Sequence, residues 1–130
     1  KLAEHNQGNV VLDPVMISKG GSVLMEEGAR DAMKNELFGL VRIITPNIPE
    51  AEEITGFKIG STGAMREAAR AIKELGPECV VVKGGHLTDE PDAVDIFFDG
   101  ERFHELRSRR IDTKNTHGTG CTFAAAICAL

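Results

Sequence analysis

A basic surface, a disulfide framework and a membrane-spanning run are all missing from this sequence. Fifteen Lys and Arg stand against twenty Asp and Glu, a net charge of −5. That balance excludes the positive field from which nucleic-acid binders draw most of their affinity. Arg107, Arg109 and Arg110 are the only dense basic cluster and read as a solvated strand face. The three cysteines, Cys79, Cys121 and Cys128, are odd in number and lack Cys-x-x-Cys spacing, so neither a disulfide framework nor a zinc site is indicated. A reducing cytoplasm is the expected compartment. No apolar run approaches the roughly 20 residues that cross a bilayer, and no stretch reads as a signal peptide. Two common phosphate-binding patterns are also missing, Gly-x-x-x-x-Gly-Lys-Ser/Thr and Gly-x-Gly-x-x-Gly. A phosphate site in this chain must belong to another design.

What is there is the composition of a globular domain, 42% hydrophobic and 27% charged over 130 residues. One domain of that size can bury roughly two-thirds of its unfolded surface. No repeat, low-complexity tract or linker divides it, so residues 1–130 are expected to form a single domain. The chain opens on Lys1 just ahead of a strand-like run and stops at Leu130 inside an apolar helical stretch without a C-cap signal. It is therefore expected to be part of a longer polypeptide, truncated at both ends.

Short apolar runs at 10–13, 41–45 and 79–83 read as buried strands. Between them lie helical patterns. Ser22 is a plausible N-cap for a helix through Leu37 with Val23, Leu24, Ala29, Met33 and Leu37 on one face, closed by Gly39. Residues 50–55 form a short helix ended by Gly56. From Thr62, a helix carries Met65, Ala68, Ile72 and Leu75 and ends at Gly76-Pro77. Residues 95–98 and 102–106 flank Asp99-Gly100, a strong hairpin signal, and 107–111 can extend the pairing. Strand and helix runs in alternation predict an α/β fold: a mostly parallel sheet with helices on both faces and the hairpin at one edge.

The densest chemical signal is Asp112-Thr-Lys-Asn-Thr-His-Gly-Thr-Gly-Cys121, running directly into the helix-forming segment 122–130. A glycine-rich turn opening a helix aims backbone N–H groups and the positive end of the dipole at one spot, a setting for an anion. A thiol in that first turn is placed to act as a base. Ligands of open α/β sheets bind beyond the carboxyl ends of the strands. There the sequence puts Asp13, Asn47 with Glu50, and Lys83. Together these are the parts of a phosphoryl-transfer site. Each alone has a plainer reading. Asp13 before Pro14 can simply shape a turn, and Asn47 with Glu50 can be a helix cap and its dipole partner. Lys83 can be solvated, His86 a loop residue, and Cys121 core filler.

Four segments, Asp13-Pro-Val-Met16, Thr45-Pro-Asn-Ile-Pro-Glu-Ala-Glu52, Val82-Lys-Gly-Gly-His86 and the stretch ending in Gly118-Thr-Gly-Cys121, add a resemblance. In their order and context they resemble the hydroxymethylpyrimidine/phosphomethylpyrimidine kinases of thiamine biosynthesis, members of the ribokinase-like superfamily. The resemblance spans essentially the whole chain. It implies a ribokinase-like fold, here its catalytic, C-terminal part, and transfer of the ATP γ-phosphate to 4-amino-5-hydroxymethyl-2-methylpyrimidine and its monophosphate. It implies Cys121 as the base, with Gly118, Thr119 and Gly120 as the anion hole. Lys83 would lie on the ATP phosphates, Thr116 and His117 along the nucleotide cleft, and Val15 against the pyrimidine. Asn47, Glu50 and Asp13 would stand around Mg²⁺, largely through water. A homodimer is implied by the same route. A pyridoxal kinase-like enzyme and a non-catalytic nucleotide- or pyrimidine-binding module are the alternatives. Sugar kinases of the superfamily carry Asp where this chain has Cys121.

Overall fold

The computed structural model describes residues 2, 4, 8–16, 24–87, 92–111 and 118–130. Five strands form one sheet in sequence order: β1 (Val11–Leu12), β2 (Ile43–Ile44), β3 (Cys79–Val82), β4 (Asp92–Phe98) and β5 (Phe103–Arg109). β1, β2 and β3 run parallel, with Val11 opposite Ile43 and Ile43 opposite Cys79. β4 and β5 are added antiparallel at one edge. The mixed sheet with an edge hairpin is the architecture that the alternating apolar runs predict.

Because paired residues share a face, the register sorts the side chains. Ile44, Val80, Val82, Ile96 and Phe98 line one face, and all are buried in the main core with Phe38, Met65 and Ile72. Each such side chain contributes about 1.5–3 kcal/mol when fully removed from water. α3 (Thr62–Lys73) packs on β3 and β4 and sends Met65, Ala68, Ala69 and Ile72 into this core. The Ser61 hydroxyl caps its start, accepting from the Ala64 N–H at 3.2 Å. Arg70 lies 4.8 Å from the Phe103 ring centroid, and Arg66 pairs with Glu105, tying α3 to the hairpin. Leu75, expected on the apolar face, falls beyond the end of α3 and is 42% exposed.

α1 (Glu27–Ala32) is shorter than the sequence suggests. Ser22 and Val23 lie outside the described residues, Leu24 precedes the helix and is exposed, and the N-cap is Glu26, which makes no side-chain cap. After Ala32 comes a π-helical turn, Met33–Leu37, then a 3₁₀ turn, Phe38–Leu40. The wider π turn brings Met33 and Phe38, five residues apart, toward the same core. Gly39 lies within the 3₁₀ turn, so it does not close an α-helix as its position suggested.

The hairpin runs from Asp92 to Arg109, starting three residues ahead of the sequence expectation and continuing past Leu106 as 107–111 allowed, with Gly100 at the tip at φ 99°. Asp99 braces the turn, its Oδ1 accepting from the N–H groups of Glu101 and Arg102 at 2.8 and 2.6 Å. α4 (Thr119–Ala129) packs against β1, where the Asn9 side-chain amide donates to the Cys128 carbonyl at 2.9 Å. Among the described residues no helix is long and apolar enough to cross a membrane.

Candidate phosphoryl-transfer site

The carboxyl ends of β1 and β3 meet through an ion pair. Asp13, just past β1, accepts from the Lys83 ammonium at 2.9 Å, although the two lie seventy residues apart in the chain. Their side chains retain only 11% and 18% of their accessible surface. Lys83 is also held through its backbone: its N–H donates to the Pro46 carbonyl at 2.8 Å, and it bridges in parallel to Asn47 past the end of β2. The solvated-lysine reading is thereby excluded.

Asn47 and Glu50 form a reciprocal cap on α2 (Ile48–Thr55). The Asn47 Oδ1 accepts from the Glu50 N–H and the Glu50 Oε2 from the Asn47 N–H, each at 2.9 Å. Pro49 sits in the first turn, where its missing N–H costs nothing. The helix therefore begins at Ile48, two residues ahead of the sequence expectation, and ends at Gly56 as expected. Glu50 is 3% exposed, and burial pushes its carboxyl above the usual range. The hydrogen bond from Asn47, the charge of Lys83 and a hydrogen bond from the Met16 backbone pull it back, and the neighbouring charge of Asp13 adds to the rise. The plain reading of Asn47 and Glu50 as a cap is thus correct, and the same cap sets Glu50 electrostatically against Asp13 and Lys83.

The glycine-rich turn closes the cluster. Gly118 takes φ +77° as the N-cap of α4, a left-handed conformation that suits glycine. The first helical bond runs from the Thr122 N–H to the Gly118 carbonyl at 3.0 Å, so the Gly120 and Cys121 N–H groups precede that ladder. A Cβ at Gly120 would stand 3.1 Å from both Asp13 Oδ2 and Lys83 Nζ. A side chain here would press the ion pair by a few tenths of an ångström, so glycine lets the turn approach it without displacing either partner. Cys121 is exposed in the first turn of α4, not buried as core filler would be. Val15 is 43% exposed two residues beyond Asp13. Thr116 and His117 lie outside the described residues. A separate surface cleft of about 490 Å³, lined by Pro49, Glu52, Glu53, Gly56, Phe57 and Lys58, contains none of these strand-end groups.

Two participants are missing from the sequence reading. Asp95, inside β4, accepts from the Gly84 N–H at 2.8 Å immediately after Lys83. Burial raises its carboxyl, while the Gly84 hydrogen bond and the Lys83 charge oppose the rise. Arg110, grouped above with solvated arginines, instead donates to the Gly85 carbonyl at 2.9 Å and to the Leu87 carbonyl. An acid within the apolar run 93–98 was the available signal for Asp95. Arg110 offered none, because its partners are backbone carbonyls of a distant loop.

The donor set also bears on a metal. Among the described residues, no three of His, Cys, Asp and Glu gather closely enough to cage an ion. Asp13 Oδ1, Glu50 Oε2 and Asn47 Oδ1 each already accept a hydrogen bond. Carboxylates beside a lysine and a side-chain-free turn fit a hydrated Mg²⁺ that arrives with phosphate ligands, since Mg²⁺ keeps several waters and uses few protein carboxylates.

Comparison with known proteins agrees with this geometry. Residues 1–130 match the phosphomethylpyrimidine kinase family along the whole chain. The chain belongs to that family. Its relatives include the thiamine biosynthesis bifunctional protein ThiED of Geobacter sulfurreducens, 54% identical over 98% of this chain and 26% of that protein. A crystal structure of the ADP complex of Bacillus subtilis pyridoxal kinase superposes with a TM-score of 0.84 at 36% identity, covering 98% of this chain and 48% of that one. Phosphomethylpyrimidine kinase from Clostridium difficile 630 superposes at 0.75 with 46% identity, covering 82% and 46%. This family member therefore has the ribokinase-like fold, and it spans about half the length of those two kinases.

Proposed function

We propose that this member of the phosphomethylpyrimidine kinase family carries the phosphoryl-transfer half of an ATP-dependent kinase. Its acceptor is the hydroxymethyl group of 4-amino-5-hydroxymethyl-2-methylpyrimidine and, in a second step, the monophosphate. The observation that carries the reading is the seating of the Gly118–Cys121 turn on the Asp13–Lys83 pair, at the carboxyl ends of parallel strands. Little covalent chemistry is asked of a kinase, so positioning and charge do most of the work.

In this reading Lys83 places a positive charge on the transferring phosphate, and the backbone N–H groups of Gly118, Thr119 and Gly120 cradle its oxygens at the helix start. Cys121 Sγ, as thiolate, takes the hydroxyl proton as the acceptor oxygen attacks the γ-phosphorus and ADP departs. Val15 contacts the pyrimidine, and Thr116 and His117 line the nucleotide cleft. Asp13, Glu50 and Asn47 would hold a hydrated Mg²⁺, which would neutralise phosphate charge. A reducing cytoplasm suits a free thiol in this role, and a homodimer is part of the proposal by family likeness.

Pyridoxal is the second candidate acceptor, because the Bacillus subtilis pyridoxal kinase superposes well and pyridoxal also bears a ring hydroxymethyl group. Incubation with MgATP and each acceptor, followed by mass spectrometry of products, separates the two. Pyrimidine mono- and diphosphate are expected. Pyridoxal phosphate alone would transfer the assignment to the second acceptor. Nucleotide binding with neither product from the full-length polypeptide would reduce the protein to a binding module.

A further inference from the structure

Continuing the antiparallel register of β3 with β4 (Val80 opposite Phe98, Val81 opposite Phe97, Val82 opposite Ile96) by one step sets Lys83 opposite Asp95, so both point to one face of the sheet. Asp95 bonds to the turn that follows the lysine. Its Oδ1 takes the next backbone N–H, that of Gly84, at 2.8 Å. No side chain fits at Gly84, since a Cβ there would lie 1.9 Å from the Val94 carbonyl oxygen. The far side of the same turn is held by Arg110, which donates to the carbonyls of Gly85 and Leu87. The strand end that presents Lys83 is therefore gripped by an acid on β4 at its N–H and by an arginine beyond β5 at its carbonyls.

We propose that Asp95 is a positioning residue for Lys83: by fixing the Gly84 N–H it holds the lysine ammonium against Asp13 and the Gly120 turn, where a phosphate would be received. The proposal rests on the phosphoryl-transfer reading above. The Asp13 pair orders the lysine side chain, but the ammonium can be aimed at an anion only if the backbone from which it springs is also fixed, since a mobile main chain must be ordered on binding. A hydrogen bond from the turn to a carboxylate supplies that order at the cost of burying an acid inside β4.

The test is a double-mutant cycle on nucleotide affinity, with Asp95→Leu, which keeps the size and removes the acceptor, and Lys83→Ala. Asp95→Leu should weaken ADP and ATP binding roughly tenfold. The loss should vanish in the Lys83→Ala background, and Asp95→Asn, which retains Oδ1, should recover most of it. Losses that multiply, with Lys83→Ala itself harmful, would overturn the positioning role and leave the phosphate reading intact. If Lys83→Ala leaves nucleotide affinity unchanged, the phosphate reading fails and this proposal with it. Should Asp95→Leu not fold, amide exchange in the parental protein reads the same contact. The Gly84 N–H should exchange as slowly as the β3 amides and slow further with ADP, whereas exchange at the rate of an open loop would overturn the proposal.

Discussion

At the residue scale, Cys121 and Glu50 show how placement decides chemistry. Cys121 is exposed at the start of α4, beside the turn that approaches Asp13 and Lys83. Cys121→Ala should lower turnover about 10²- to 10⁴-fold, the usual range for losing a general base, while nucleotide binding measured by calorimetry persists. Turnover close to the parental value would remove the thiol from the mechanism. Glu50 is a buried acid whose carboxyl is raised, mainly by desolvation. The folded state therefore holds this proton more tightly than the unfolded chain. Stability linked to Glu50 is greatest at pH below the ordinary carboxylate range and falls as pH rises through that range and past it. Glu50→Gln keeps the shape and an acceptor for the Asn47 N–H. Urea midpoints should show the variant equal to the parent at low pH and more stable at neutral pH, with phosphoryl transfer impaired. An unchanged pH dependence of stability would mean that Glu50 holds its proton no more tightly in the folded state than in the unfolded chain.

At the element scale, the site depends on how helices and strands are started and stopped. The reciprocal cap of Asn47 and Glu50 fixes where α2 begins, and the same two residues stand beside the Lys83 backbone. Asn47→Ala should cost about 1 kcal/mol of stability by denaturant titration, the usual worth of a lost N-cap. Gly84 is the tightest point of the β3–β4 pairing, with the Val94 carbonyl oxygen and the Met65 methyl where a Cβ would go. Gly84→Ala should cost about 1–3 kcal/mol, as overpacking does, and should weaken nucleotide binding because Lys83 moves with the strand. A variant as stable as the parent would show that the strands can separate locally at no cost.

At the scale of the whole molecule, the core on one face of the sheet fixes the spacing of the strand ends, where the proposed chemistry lies. Residues seventy apart in sequence, Asp13 and Lys83, are joined at 2.9 Å because β1, β2 and β3 run parallel and in order. A ligand bound across these ends ties strands and α4 together and so must stabilise the fold. At 100 times its dissociation constant, MgATP should add about 2.7 kcal/mol, read as a concentration-dependent rise in melting temperature. Lys83→Ala should lose most of that rise while folding normally. A rise that Lys83→Ala leaves unchanged would place the nucleotide elsewhere on the molecule.

The sequence by itself determined the class of fold, the five strands, the edge hairpin, α2 and α3, because apolar periodicity and cap residues are local signals. The glycine-rich turn and Asp13, Asn47, Glu50 and Lys83 were legible for the same reason: each is a residue type at a strand end or helix start. Only the tertiary structure decided which of them meet. The Asp13–Lys83 pair, the approach of Gly120 to both, and the hold of Asp95 and Arg110 on the Gly84–Leu87 turn all join segments distant in the chain. Register and packing, which no local pattern encodes, bring them together. The π turn after α1 was decided in the same way, by what Met33 and Phe38 gain on reaching a common core.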